Sequence, residues 1–227
     1  MSATPAGLAL CIGIDTADGK RVCAEANALA LSGVADRQGF LVTTLLLGPA
    51  ASRAAVLFHI HAAAAACRAG DLFVLTFSGH GGRKSTICSD GRVGLRAVWT
   101  LCDGSLTDHE MRAALAQFRA GVRVLVIADS CNGGIPAADA DASAALPIAA
   151  SVLVLAACRS DQLADGNGLP GHFTTVLLNA WREGQFTGTY RSFYEEVRAG
   201  MPAYQQPELH CLGRADQDFE AQRPFTI

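Results

Sequence analysis

Two short segments carry the reactive side chains. His80 lies in Phe77-Ser78-Gly79-His80-Gly81-Gly82, and Cys131 lies 51 residues further on in Asp129-Ser130-Cys131-Asn132-Gly133-Gly134. Each is an imidazole or a thiol set in a tight glycine turn directly after an apolar run of strand length. A thiolate attacks carbonyl carbon, and a nearby imidazole takes the thiol proton or holds the thiolate as an ion pair. The imidazole then returns a proton to a leaving amine. Glycines beside both groups let the backbone approach a substrate closely. The N–H groups of Gly81 and Cys131 could then face the developing oxyanion. Taken singly, a histidine in a glycine loop or a cysteine at a strand end is commonly structural; the joint setting points to chemistry. The other histidines lack such a setting. His59 and His61 are two apart on a predicted helix and diverge. His109 falls on the first turn of a helix, and His172 and His210 show no partner. All five are read as structural or surface residues.

Apolar runs alternate with helical patterns along the chain. The pattern predicts strands over 8–14, 40–46, 72–78, 122–128 and 150–156, with a short last strand over 208–212. It predicts helices over 22–37, 52–68, 107–118, 173–182 and 192–198. Ser52 is a candidate N-cap, and Thr107 with Glu110 forms a candidate capping box. Strands this apolar, separated by helices, imply an α/β fold with a mostly parallel sheet covered on both faces. The segments 79–100, 132–147 and 160–171 are rich in Gly, Ser, Asp and Pro and read as loops, the first of them as a hairpin-like excursion after His80. They follow the third, fourth and fifth strands, so they gather where open α/β sheets place their sites.

Composition bounds the rest. The chain has 227 residues, half of them hydrophobic and 17% charged, with a net charge of −3. That length suits one domain, 1–227, and the balance excludes a disordered chain. No basic tract marks a nucleic-acid or membrane partner. No run reaches the roughly 18 apolar residues of a spanning helix, and the first residues show no secretory signal pattern. The eight cysteines are scattered without a Cys-x-x-Cys pair, which argues against structural zinc and for a reducing, cytoplasmic setting.

At these residues the sequence resembles the caspase-like cysteine peptidases, in particular the metacaspase and bacterial orthocaspase branch. FSGHGG is similar to the family's histidine motif and DSCNGG to its cysteine motif, and the spacing matches the roughly 50 residues expected between them. Further likeness runs through LALCIGID, Ala69-Gly70-Asp71, VLAACRSDQLAD, Gly171-His172-Phe173-Thr174 and Gln206-Pro207-Glu208-Leu209. The resemblance implies a caspase-haemoglobinase-like three-layer sandwich with a sheet of about six strands. It implies a p20-like part over 6–134, a loop over 135–149 and a p10-like part over 150–227. It also implies a His80–Cys131 dyad that cleaves a protein or peptide after Arg or Lys at P1. Asp129, two residues before the cysteine, would read the P1 cation, with Ser78 and Cys23 lining the pocket. A carboxylate there binds a cation and rejects an acidic P1; the plainer reading of Asp129 is a cap or turn residue holding the Cys131 loop.

The sequence departs from the family pattern in places. Asn132-Gly133-Gly134 follows the cysteine where His-Ser-Gly is common. The second pocket acid expected after Cys23 is missing or replaced by Glu25. No metal or other cofactor is needed for the chemistry. Asp103 and Asp108 match part of the calcium cluster of some relatives, but His109 stands where another acid is expected, and Ca²⁺ wants six or more oxygens. No Lys or Arg lies between Arg123 and Arg159, so an enzyme specific for basic residues could not cut itself in the loop after the cysteine. An active, uncut single chain is expected, with a monomer favoured. Two alternatives stay open: a peptidase silent until a partner activates it, as in defence or cell-death systems with a gasdermin-like substrate, and a non-cleaving interaction module.

Overall fold

A computed structural model describes residues 4–17, 20–87, 91–131, 135, 146–158 and 171–227. The sheet is built from β1 (Gly7–Gly13), β4 (Val42–Leu47), β5 (Leu72–Ser78), β9 (Arg123–Asp129), β10 (Ser151–Ala156) and β11 (Glu208–Gly213). Its order is β11-β10-β9-β5-β1-β4. The first five strands in sequence are parallel, and β11 closes one edge antiparallel to β10. Every residue of β5 and of β10 is buried, which is why these strands read as continuous apolar runs rather than alternating ones.

Two cores lie on the two sheet faces. On one face, Leu10, Ile12, Phe73, Leu75 and Val126 pack under α2 (Arg53–Ala66) and α3 (Asp108–Leu115). On the other, Cys11, Val74, Leu125, Ile127 and Leu155 pack under α1 (Ala24–Arg37), α4 (His172–Trp181), α5 (Tyr190–Gly200) and α6 (Gln217–Ala221). This is the expected three-layer sandwich. The helix signals are realised locally: Ser52 Oγ accepts from the Ala55 N–H at 3.1 Å, and Thr107 and Glu110 form the reciprocal capping box.

The segment 79–100 corrects an expectation in part: the hairpin-like excursion is a regular hairpin rather than a loop, β6 (Gly81–Ile87) and β7 (Val93–Leu101), to which β8 (Gly104–Thr107) adds a third strand. The Gly, Ser and charged residues of β6 gave no strand pattern for β7 to pair with. Trp99 lies on one face of that strand, stacked on Phe77, while Arg96 and Val98 are buried on the other. A two-residue pair, β2 (Thr16–Ala17) with β3 (Lys20–Arg21), also escaped the sequence reading. The expected loops over 132–147 and 160–171 lie mostly outside the described residues. So does the interval 135–149 between the p20-like and p10-like parts, except for Ile135 and 146–149.

Arg96 and Asp108 form an ion pair at 3.6 Å between the hairpin and α3, with both side chains almost wholly buried. Removing Asp108 takes the paired carboxylate away from a guanidinium that is almost wholly buried. Asp108→Ala should therefore lower unfolding free energy by about 3 kcal/mol, read from the shift of the urea midpoint at unchanged slope. A shift near zero would place the pair in water.

Candidate active site

The carboxyl ends of β1, β5 and β9 meet at one edge of the sheet. Gly13, Ser78 and Asp129 stand in register across it. The Ile14 N–H donates to the Ser78 carbonyl at 3.1 Å and the Gly79 N–H to the Asp129 carbonyl at 3.2 Å. His80 and Cys131 each lie two residues beyond that row, both half-buried. The two turns touch directly. A Cβ on Gly81 would lie 2.1 Å from the Cys131 carbonyl oxygen and 2.8 Å from Ser130 Oγ. No side chain fits there, so glycine is what lets the turn after His80 rest on the turn of Cys131. The His80 carbonyl accepts from the Thr100 N–H at 2.9 Å. Trp99 and Phe77 stack with centroids 4.5 Å apart. The hairpin after His80 is thus fastened to the strand before it.

The thiols divide by environment. Burial pushes Cys11 and Cys67 up to about 11, so both remain protonated, inert apolar fillers at neutral pH. Cys158 is buried and its thiol lies 3.7 Å from the Ser130 carbonyl. Cys23 and Cys131 are half-buried, Cys102 and Cys211 exposed. Cys88 lies outside the described residues.

Asp129 points into the α1/α4 layer, where it is buried. Three bonds converge on one of its oxygens, Oδ2: from Thr174 Oγ1 at 2.5 Å, from the Thr174 N–H at 3.3 Å and from Asn27 Nδ2 at 3.3 Å. Thr174 is the third residue of α4, and the N-cap, Gly171, has no side chain to offer. Asp129 therefore caps α4 from a strand end; its hydrogen-bond partners among the described residues lie on α4 and α1 rather than on the Cys131 loop that the plainer reading assigned to it. A Cβ on Gly171 would fall 2.1 Å from Oδ2, so the approach again requires glycine. α1 is served the same way: its N-cap Cys23 makes no side-chain cap bond, and Asp15 Oδ1 accepts from the Glu25 N–H at 2.8 Å. Burial holds the Asp129 carboxyl above the usual range, against the bonds from Thr174 and the charge of His172, which favour the ionised form.

Ser78, opposite Asp129 on the same sheet face, is 1% exposed, and its Oγ has no hydrogen-bond partner among the described residues. Cys23 stands at the start of α1, four residues before Asn27. Glu25 does not supply a second acid beside Asp129: its carboxylate is directed at Gly48, and the α1 residue that reaches Asp129 is Asn27. Thr174 and Asn27 were missed by the sequence reading. The usable signal was a helix start at Gly171 with no capping side chain of its own.

Asp103 and Asp108 do not converge. Asp103 Oδ1 accepts from the Arg53 N–H at 2.7 Å, while Asp108 pairs with Arg96. Among the described residues no group of three or more His, Cys, Asp or Glu is placed to hold a metal ion. Two histidines read as lacking partners have them: His210 Nε2 bonds to the Ile135 carbonyl, and His172 acts electrostatically on Asp129. Among the described residues no helix is long and apolar enough to cross a membrane.

The caspase-domain family model matches residues 6–218. The chain belongs to the caspase-domain family. The crystal structure of protein GSU0716 from Geobacter sulfurreducens is similar at 34% identity and TM-score 0.86, covering 98% of this chain and 99% of that one. The Drosophila initiator caspase Dronc shares the caspase fold at 11% identity and TM-score 0.60, covering 97% of this chain and 82% of its own. No curated protein matches the sequence. A caspase-domain fold supports a protease-type function acting on protein substrates.

The raised Asp129 carboxyl has a stability consequence. A carboxyl with a folded pKa above its unfolded value contributes most to stability in acid, and the contribution falls as pH rises through the folded value. Asp129→Asn keeps the shape and removes the buried charge. The variant should melt close to the parent near pH 3, roughly a unit below an ordinary Asp carboxyl, and above it at pH 7. A lower melting temperature than the parent at pH 7 would mean that the helix terminus more than offsets desolvation.

Proposed function

We propose that the protein is a cysteine endopeptidase that cuts after Arg or Lys, with Cys131 as nucleophile and His80 as its base. The observation that carries this reading is the contact of the two turns at Gly81, beside a buried carboxylate, Asp129, on the same sheet edge. The thiolate of Cys131 attacks the scissile carbonyl, and the N–H groups of Gly81 and Cys131 receive the oxyanion. His80, protonated by the thiol, gives that proton to the leaving amine. The acyl-enzyme is then hydrolysed by a water that His80 deprotonates, which restores the thiol. Asp129 meets the P1 cation, with Ser78 Oγ and Cys23 beside it. Each step is carried by side chains and backbone of this chain, and none calls for a cofactor. A reducing cytoplasm keeps the nucleophile free, and a monomer suffices, since every named residue comes from one chain.

The absence of Lys and Arg from 124 to 158 supports an enzyme that works uncut there. Purified protein should cleave fluorogenic peptides with Arg or Lys at P1 and leave those with Asp untouched. Cys131→Ala should lower the rate at least about 1,000-fold. A denaturing gel of the active sample should show no cut within 124–158, and added calcium should leave the rate unchanged. Cleavage after Asp, or activity that arises only with a cut inside that interval, would overturn the reading. No turnover on any peptide would favour the silent or non-cleaving alternatives.

A further inference from the structure

We propose that Thr174 is the positioning residue of the P1 subsite: its hydroxyl and amide fix one oxygen of Asp129 and leave the other to meet the substrate's cation. The inference rests on the peptidase reading above. Among the described residues, all three bonds to the Asp129 carboxylate fall on Oδ2, and two of them come from Thr174. Thr174 is 1% exposed, so its hydroxyl serves no solvent contact. Gly171 leaves room for the same oxygen at the helix cap, where a Cβ would fall 2.1 Å from it. Asp129 shares its sheet face with Ser78, whose buried Oγ is unpartnered among the described residues. An ordered carboxylate binds a cation without first paying for its own orientation. The α1 bond comes from an amide, Asn27, rather than a second acid, so a single negative charge reads P1 and its orientation is set chiefly from α4.

Other titratable groups near the pocket are His172 on α4, Cys23 and Glu25 at the start of α1, Asp15 after β1, and His80 and Cys131 on the adjoining turns. Changes at Thr174 leave all of them in place.

The test compares Thr174→Val with Thr174→Ser in the full chain. Valine keeps the branched shape and removes the hydroxyl; serine keeps the hydroxyl. With Arg and Lys peptides, Thr174→Val should raise KM about tenfold, the scale of one lost hydrogen bond to a charged group, and change kcat less than about twofold. The rate of iodoacetamide alkylation at Cys131 should not move. The hydroxyl bond favours ionised Asp129, so its loss should shift the acid limb of kcat/KM to higher pH. Thr174→Ser should restore both quantities. An unchanged KM and acid limb in Thr174→Val would overturn the proposal while leaving the peptidase reading intact. So would kcat and alkylation falling together without rescue by serine, the pattern of a structural residue. If the valine variant does not fold, Thr174→Ala reads the same quantities; failure of both to fold also overturns it. No peptide cleavage by the parent would bring down the peptidase reading and this inference with it.

Discussion

One oxygen of one carboxylate holds the site together. Asp129 Oδ2 is carried on the central strand β9, two residues before Cys131, and receives bonds from α4 and from α1. It joins a sheet strand to both helices that cover this end of the sheet. The physical trade is desolvation against hydrogen bonding. Burial disfavours the charge, while the open N–H groups at the start of a helix favour it. The carboxyl remains raised, so burial outweighs the bonds. A group kept in a costly state beside a candidate nucleophile is the kind of strain that functional sites retain.

The same device recurs two strands away. Asp15, just past β1, caps α1 as Asp129 caps α4. Both helices begin without a capping side chain of their own, at Cys23 and Gly171. Their N-termini are therefore bonded to strand ends, and both positive helix ends face this edge of the sheet. Glycine does the complementary work. At Gly81 and Gly171 any Cβ would collide with the opposite segment, so the backbone approaches set the spacing of the site.

Much of this was legible in the sequence. The strand over 72–78 was read to the residue, because an unbroken apolar run bounded by Asp71 and Gly79 has one natural register. The capping box at Thr107 and Glu110 was equally plain, since both halves lie within one turn. The hairpin after His80 was legible only as a hairpin-like excursion, because its glycines and polar residues mimic a loop while its packing partners, Phe77 for Trp99 and Asp108 for Arg96, lie outside it. The partners of Asp129 were not legible either. Asn27 is 102 residues away and Thr174 45 residues away, and neither separation follows from local periodicity. The nearest signal pointed to Glu25, but two residues of helical rotation, about 200°, separate it from Asn27, and its side chain lies toward Gly48.

The account depends on Cys131 being a nucleophile addressed through a cation-reading carboxylate. The most direct measurement is intact-mass and peptide mapping after treatment with matched peptidyl chloromethyl ketones bearing Arg or Asp at P1. The account predicts one adduct, on Cys131, formed rapidly with the Arg reagent, absent with the Asp reagent and strongly slowed in Asp129→Asn. Equal labelling by both reagents, or labelling that bypasses Cys131 for another cysteine, would contradict it.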